Sequence, residues 1–364
     1  MQGADRASPE PLEGNAKYEK VRDINRGSYG FVQLARDRSD GTQIAIKFLP
    51  RGEGINVYVE REILNHSVLL HPHIIQFREV FLTPDYLAIA MEFAPGGDMF
   101  QYVKRKKGLQ EHEARWFFQQ LIVGLDYCHK MGVVNRDIKL ENTLLDQSRR
   151  PLIKICDFGY SKHLQKDSVP KSRVGTPGYT APEIISNLHI EDAAKIDIWS
   201  AGVMLYVMLF CCYPFERPDD NNNQGDQQKY QRLLQRIMRA DYWFPSHRPA
   251  SREVKELLGA ILVVDPAKRV TIAQIQEHPW FMRDLPPGLT TFNNACLAQQ
   301  RAQPRQPAMA ANREHVRAIV AEAQRPAPGL LAYAGVDDEE DDDSVAEVDA
   351  MMDFGSGPVS GPLA

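Results

Sequence analysis

The stretch Val134-Asn135-Arg136-Asp137-Ile138-Lys139-Leu140-Glu141-Asn142, followed by Asp157-Phe158-Gly159, constrains this chain more than any other feature. It puts an acid, a lysine and a carboxamide on one short loop, with a second acid just downstream. That set suits transfer of a phosphoryl group from a metal-bound nucleotide to a hydroxyl. Asp137 can orient and deprotonate the attacking hydroxyl, Lys139 can neutralise charge on the transferring group, and Asn142 and Asp157 can offer oxygen ligands to Mg²⁺.

Two upstream segments supply what such a loop would need. Asn25-Arg26-Gly27-Ser28-Tyr29-Gly30-Phe31-Val32 lies between strand-like runs, and its glycines let backbone N–H groups approach phosphates closely. A dinucleotide-binding turn would lead straight into a helix, whereas a strand follows here, and no lysine of the P-loop kind follows either. Lys47 ends an Ile-Ala-Ile run and points from a buried strand toward the same cleft. Its expected ion-pair partner is Glu62, on a helix 15 residues on, with Glu60 as the rival acid; the spacing to His71-Pro72 favours Glu62. Arg136, beside the proposed base, can grip a phosphate on the loop 157–183, which carries Ser161, Ser168, Ser172 and Thr176.

Composition shifts divide the chain. At 364 residues, with 43% hydrophobic content, it is long enough for about two domains and a sizeable core. The formal charge of −5 belongs to the C-terminal end: residues 282–364 hold six basic and thirteen acidic side chains, a net of −7, leaving +2 on the rest. No basic stripe for nucleic acid is present, and Lys104-Arg105-Lys106-Lys107 reads as a solvated helix end. The five cysteines have no metal-ligand or disulfide-framework spacing. The apolar run 201–212 falls short of the ~20 residues a bilayer span needs, so a cytoplasmic or nuclear location and no membrane partner are expected.

Residues 1–17 read as a disordered leader, and 18–92 as a small, mostly antiparallel sheet with one helix over about 58–69. Residues 93–281 read as mainly helical, with helices over 111–130, 195–209, 230–239, 252–262 and 272–277. The polar segment 219–228 reads as a flexible insert and 300–309 as a linker. An amphipathic helix is expected over 313–323, where Val316, Ile319, Val320 and Ala323 share a face. An acidic, core-less segment is expected over 337–353.

Taken together, Ile44-Ala45-Ile46-Lys47, Asn135-Arg136-Asp137, Asp157-Phe158-Gly159, Ala181-Pro182-Glu183, Asp197-Ile198-Trp199-Ser200 and Asp265-Pro266 with Arg269 resemble the eukaryotic serine/threonine protein kinases in motif order over residues 18–281. The strings Leu140-Glu141-Asn142-Thr143-Leu144-Leu145-Asp146 and Pro170-Lys171-Ser172 look like the plant osmotic-stress and abscisic-acid-responsive kinases, subfamily two of the sucrose-non-fermenting-related group.

The resemblance implies an α+β bilobal kinase fold with a C-terminal regulatory extension. It implies ATP and Mg²⁺ as cofactors, and contacts to nucleotide from Asn25 to Val32, Ala45, Lys47, Glu62, Met91, Glu92, Phe93, Ala94 and Asp98. It assigns Asp137 and Lys139 to catalysis, Asn142 and Asp157 to metal, Ser172 and Ser168 to activating phosphorylation, and Arg136 to gripping the phosphate. Asp197 would anchor the catalytic loop and Arg269 would pair with Glu183. Asp98 and Glu141 would favour substrates with a basic residue upstream of the acceptor. An upstream activating kinase and a protein phosphatase are the implied partners, the helix at 313–323 would pack on the small-lobe helix, and nucleic acid is not expected to bind.

Two departures stand out. Asn25 replaces the first glycine of the loop, a place where Asn tolerates left-handed geometry better than most residues. Asn135 replaces the usual histidine before Arg-Asp. The competing reading is a pseudokinase scaffold that binds nucleotide and acts through its tail; retention of Lys47, Asp137 and Asp157 argues against it.

Overall fold

Alternating apolar residues build the first layer of the molecule. The computed structural model describes residues 10–27, 30–158, 177–186, 192–221, 226–302 and 313–327. Strands β1 (Tyr18–Gly27), β2 (Gly30–Asp37), β3 (Gln43–Pro50), β4 (Phe77–Leu82) and β5 (Tyr86–Glu92) form an antiparallel sheet in the order β1-β2-β3-β5-β4. Side chains alternate between faces along a strand, so Ile44, Ile46 and Phe48 of β3 share one face while Ala45, Lys47 and Leu49 share the other. Phe31, Ala35, Ala88 and Ala90 complete the outer face. Helix α1 (Val57–Ser67) covers the inner one with Val59 and Ile63. Asn56 starts α1 by accepting from the N–H groups of Tyr58 and Val59, donors that the first turn cannot satisfy itself.

The expected leader is corrected from Glu10 onward. Leu12 is buried in the outer-face cluster, Glu10 pairs with Lys20 at 2.7 Å, and Asn15 accepts from the backbone of Lys17 and Tyr18. Burial of Leu12, the Glu10–Lys20 pair and the Asn15 turn together hold the segment on the sheet.

The second layer is helical: α2 (Met99–Lys106), α3 (Glu111–Lys130), α4 (Pro182–Ile185), α5 (Ala194–Phe210), α6 (Asp226–Ile237), α7 (Arg252–Ile261), α8 (Ile272–Glu277), α9 (Pro279–Met282) and α10 (Leu289–Ala302). A short hairpin of β6 (Thr143–Leu145) and β7 (Ile153–Ile155) lies at its edge. α5 is buried along its whole length, and its Trp199 stacks on Phe215 at 5.6 Å. Arg269 and Glu183, both buried, form a two-pronged pair at 2.7 and 2.9 Å. The fork geometry compensates two desolvated charges that would be costly apart. The insert expected over 219–228 is corrected at its described ends, where Asp220 binds the Arg236 guanidinium and α6 begins at Asp226; residues 222–225 lie outside the described residues.

Helix α10 falls where only a tail and linker were expected, and its contacts explain why. Asn293, almost fully buried, accepts from His71 Nε2 at 3.0 Å and donates to Val123 O and Asp126 Oδ2. Gln300 accepts from Tyr127 Oη and donates to Leu70 O. His71 Nδ1 accepts from the His73 N–H, so its Nε2 carries the proton. Burial holds the ring neutral, with its pKa down to about 3. α10 thereby straps the segment after α1 to α3. Asn293→Ala is expected to lower stability by about 1–3 kcal/mol, read by urea unfolding, because it strands buried polar partners. A loss within ~0.3 kcal/mol, the scatter of independent surface changes, would show the strap to be idle.

The chain divides into two compact units, Met1–Ala327 and Pro328–Ala364, and every described residue belongs to the first. Helix α11 (Arg313–Ala323) lies within it, with Val316, Val320 and Ala323 buried against Ile55, Val59 and Ile63. The acidic segment 337–353 lies outside the described residues, as do Ser28, Tyr29, Ser168 and Ser172. No helix among the described residues is long and apolar enough to cross a membrane.

Candidate active site

Asp197, wholly buried at the start of α5, organises the catalytic loop. Its carboxylate accepts from the backbone N–H of Asn135 at 3.0 Å and of Arg136 at 2.7 Å, and from His129 Nε2 at 2.8 Å. Those bonds hold Arg136 at φ 65°, a left-handed conformation that costs a non-glycine residue free energy and needs outside support. The turn carries Asp137 into the cleft, where Lys139 Nζ lies 2.9 Å and Asn142 Nδ2 2.6 Å from its Oδ2. With its nitrogen so engaged, Asn142 turns its carbonyl-type oxygen to other use.

The β6–β7 ladder, in which Thr143 pairs with Ile155, puts Asn142 next to the segment bearing Asp157. Cys156 N donates to Asn142 O at 3.0 Å and fixes the juxtaposition. A carboxylate and a carboxamide on adjoining segments fit Mg²⁺, which takes one or two protein oxygens and fills its octahedron with phosphates and water. The donor set is hard and oxygen-only, as that ion requires.

Lys47 reaches this point from the sheet. Its Nζ sits 2.8 Å from Asp157 Oδ1 and 3.5 Å from Glu62 Oε1, while Glu60 turns outward to Arg317 at 3.1 Å. Helical geometry decides between the two acids, since residues two apart lie on opposite faces. Burial alone would raise the Asp157 carboxyl, but Lys47 overrides it and holds the group below its ordinary value. Burial pushes Glu62 up against the pull of Lys47, and its Oε2 finds no partner among the described residues. Phe158, the next residue, is buried and stacks on His66 of α1 at 5.3 Å. His66 Nε2 contacts Ile75 O at 2.6 Å, so this ring ties α1 to the strand side of the cleft.

The remaining expected nucleotide contacts are distributed unevenly. Ala45 pairs with Met91 across the β3–β5 ladder, and Glu92 with Ile44, which places Ala45, Met91 and Glu92 at the end of β5 that runs on to Phe93. Phe93 and Ala94 lie just beyond the end of β5. Asp98 caps α2 by accepting from Gln101 N at 2.8 Å. Gly30 has φ 147°, and a Cβ there would stand 2.1 Å from Phe48 O, so only glycine passes.

Two expectations need correction. Phe31 stacks on Phe48 in the outer-face cluster, opposite Lys47, because strand alternation sends it away from the cleft; Arg26 lies over its ring. Asn25 pairs with Val32 just after a register shift in β1 and is not among the residues with positive φ, so its left-handed tolerance is not used. Glu141 is largely buried, with its carboxyl raised by burial and its Oε2 without a partner among the described residues.

A model of the protein kinase domain matches residues 18–281. The chain belongs to the protein kinase family. Among curated relatives, this kinase is 46% identical to serine/threonine-protein kinase SRK2H of Arabidopsis thaliana, covering 89% of this chain and 88% of the relative. It is 46% identical to serine/threonine-protein kinase SAPK9 of Oryza sativa subsp. japonica over 86% of this chain and 84% of the relative. With SRK2E of Arabidopsis thaliana it shares 42% identity over 96% of this chain and 95% of the relative. The small antiparallel lobe, the helical lobe and the cleft between them are thus the parts of a kinase that aligns almost end to end with these plant enzymes.

Proposed function

We propose that this kinase transfers the γ-phosphate of ATP to serine or threonine hydroxyls of protein substrates, within osmotic-stress or abscisic-acid-type signalling. The observation that carries the transfer chemistry is the contact of Lys47 with Asp157 across the cleft at 2.8 Å, beside an Asp137 already held by Lys139 and Asn142. Bound Mg²⁺ neutralises charge on the phosphates. Asn142 and Asp157 would hold it through oxygen, and Lys47, braced by Glu62, orients the phosphate chain. Asp137 accepts the substrate hydroxyl's proton, and Lys139 stabilises charge on the oxygens of the transferring group. The scaffold alternative is not favoured, since each of these groups is present and engaged.

The regulatory reading rests on Arg136, whose side chain is exposed beside Asp137, and on resemblance. Phosphorylation of Ser172, with Ser168 secondary, would give Arg136 an anion to hold and order the loop. Asp98 and Glu141, which interact electrostatically, support recognition of a basic residue upstream of the acceptor. α11 and the acidic segment 337–353 are read as a regulatory tail, the latter a contact for phosphatase regulators. An upstream kinase and a phosphatase are the expected partners, in cytoplasm or nucleus.

The test is labelled phosphate transfer from Mg²⁺–ATP to a serine peptide with arginine three positions upstream. Wild type is expected to label it at least about tenfold better than the alanine-for-arginine peptide, the discrimination one charged contact supplies. Ser172→Ala is expected to retain less than about a tenth of wild-type turnover, since the ordering anion is lost. Full activity in that variant would remove the loop switch; absence of labelling by phosphorylated wild type would remove the transfer reading.

A further inference from the structure

Asn135 stands where the resembled kinases carry histidine, and its surroundings give it a specific task. The residue is fully buried. Its side chain accepts from the backbone N–H of Asp137 at 3.0 Å and donates through Nδ2 to the backbone carbonyl of Asp157 at 3.0 Å. Its own N–H donates to Asp197. One neutral carboxamide therefore joins the main chains of the two acids that the transfer reading needs. The acceptor half closes a turn from residue 135 to residue 137 around the left-handed Arg136, a local bond that Asn and Asp make readily. The donor half secures Asp157, itself left-handed at φ 56°.

We propose that Asn135 is a positioning residue that sets the spacing of Asp137 and Asp157 through a two-sided carboxamide bridge. The substitution for histidine is then a different solution and not a defect. A carboxamide donates and accepts at once and does not titrate, so the bridge keeps the same polarity at every pH at which the protein is folded. The side chain touches no reacting atom; it acts through the backbone of the two acids. This inference rests on the transfer reading for its kinetic consequence, but not for the bridge itself.

The deciding variant is Asn135→Asp, which keeps size and shape. As a carboxylate it still accepts from Asp137 N–H but sets an oxygen against Asp157 O. As a neutral acid it can donate there and restore both bonds. Burial will raise its pKa, and so will the acids around it. The groups near it are Asp197 with His129, Asp137 with Lys139, and Asp157 with Lys47; the Cys128 and Cys156 thiols nearby are pushed up by burial and stay neutral. The same groups surround position 135 in wild type, so variant and wild type are compared at each pH, with amide exchange at Asp137 as the readout that does not pass through catalysis.

We expect Asn135→Ala to lower kcat about tenfold with a smaller change in KM for ATP, as two buried partners lose their bonds. For Asn135→Asp, the kcat ratio to wild type is expected to rise about tenfold from pH 8.5 to about 6 as the carboxyl gains its proton. Backbone amide exchange at Asp137, read by mass spectrometry in the same buffers, should be faster than wild type in Asn135→Ala. In Asn135→Asp at high pH it should also be faster, and slow toward wild type at low pH. Exchange needs no phosphate transfer, so an inactive wild type would overturn the transfer reading and leave the bridge to be judged by exchange. A flat kcat ratio together with unchanged exchange at Asp137 would overturn the proposal. Should Asn135→Ala fail to fold, Asn135→Asp alone decides, since its two protonation states are compared in one molecule.

Discussion

Asp157→Asn is expected to lower kcat for transfer to a serine peptide by about a thousandfold or more, because the charged oxygen that would hold the metal is worth several kcal/mol in a cleft. Asparagine is the informative replacement. Asp157 has φ 56°, and asparagine tolerates that geometry better than alanine would, so the backbone around Phe158 should persist. What changes is charge: Lys47 loses the partner at 2.8 Å and keeps Glu62 at 3.5 Å. The variant should therefore bind ATP with a changed Mg²⁺ dependence and, at neutral pH, a modestly lower midpoint of thermal unfolding. Initial rates across a magnesium titration measure it, and a loss of less than about tenfold would take Asp157 out of the metal set. The pH dependence has a definite sign. The carboxyl of Asp157 is held below its ordinary value in the folded protein, so its contribution to stability is complete above that ordinary value. It fades as pH falls through the folded one. The stability gap between wild type and Asp157→Asn should narrow in acid.

Val320→Asp is expected to detach α11, lowering stability by about 3 kcal/mol or more and turnover by about tenfold, since a carboxylate cannot remain in an apolar contact without a partner. Val320 is 1% exposed and shares its cluster with Val59 and Ile63 of α1, on the helix that carries Glu62. Two hydrogen bonds to the α11 backbone close the same joint: Gly52 N donates to Ala323 O at 2.9 Å, and the Arg51 guanidinium donates to Glu322 O at 3.0 Å. Losing this buttress frees α1 to move, and Glu62 with it. The control is Arg317→Ala, which removes only the exposed pair with Glu60 and should cost no more than about 0.5 kcal/mol. Equal effects from the two variants, in thermal unfolding and in rate, would mean that α11 does not buttress α1 in solution.

Particular residues show how far the chain could be read in advance. α3, α8 and α11 fall where apolar spacing put them, at 111–130, 272–277 and 313–323, because helical period and caps are local properties. α10 was missed for the opposite reason. Its Thr and Asn content argues against a helix, and its stability comes from Asn293 and Gln300 meeting His71, Val123, Leu70 and Tyr127, more than 160 residues away in the chain. Phe292 and Cys296, four apart after Pro286-Pro287-Gly288, were the available signal. The segment 10–17 is a similar case, held by the burial of Leu12 and by bonds from Glu10 and Asn15 to β1 and its approach.

The sequence by itself determined the chemistry of this kinase: Asp137, Lys139, Asn142, Asp157 and Lys47 are residue types that few other functions would assemble in that order. Tertiary structure alone decided which way Phe31 faces and what α10 holds. It also turned Asn135 from a departure into a bridge. Reactivity is written in side-chain types and short spacings, which any reader of the chain can see. Spacing between acids, and the company a buried group keeps, depends on residues brought together only by packing.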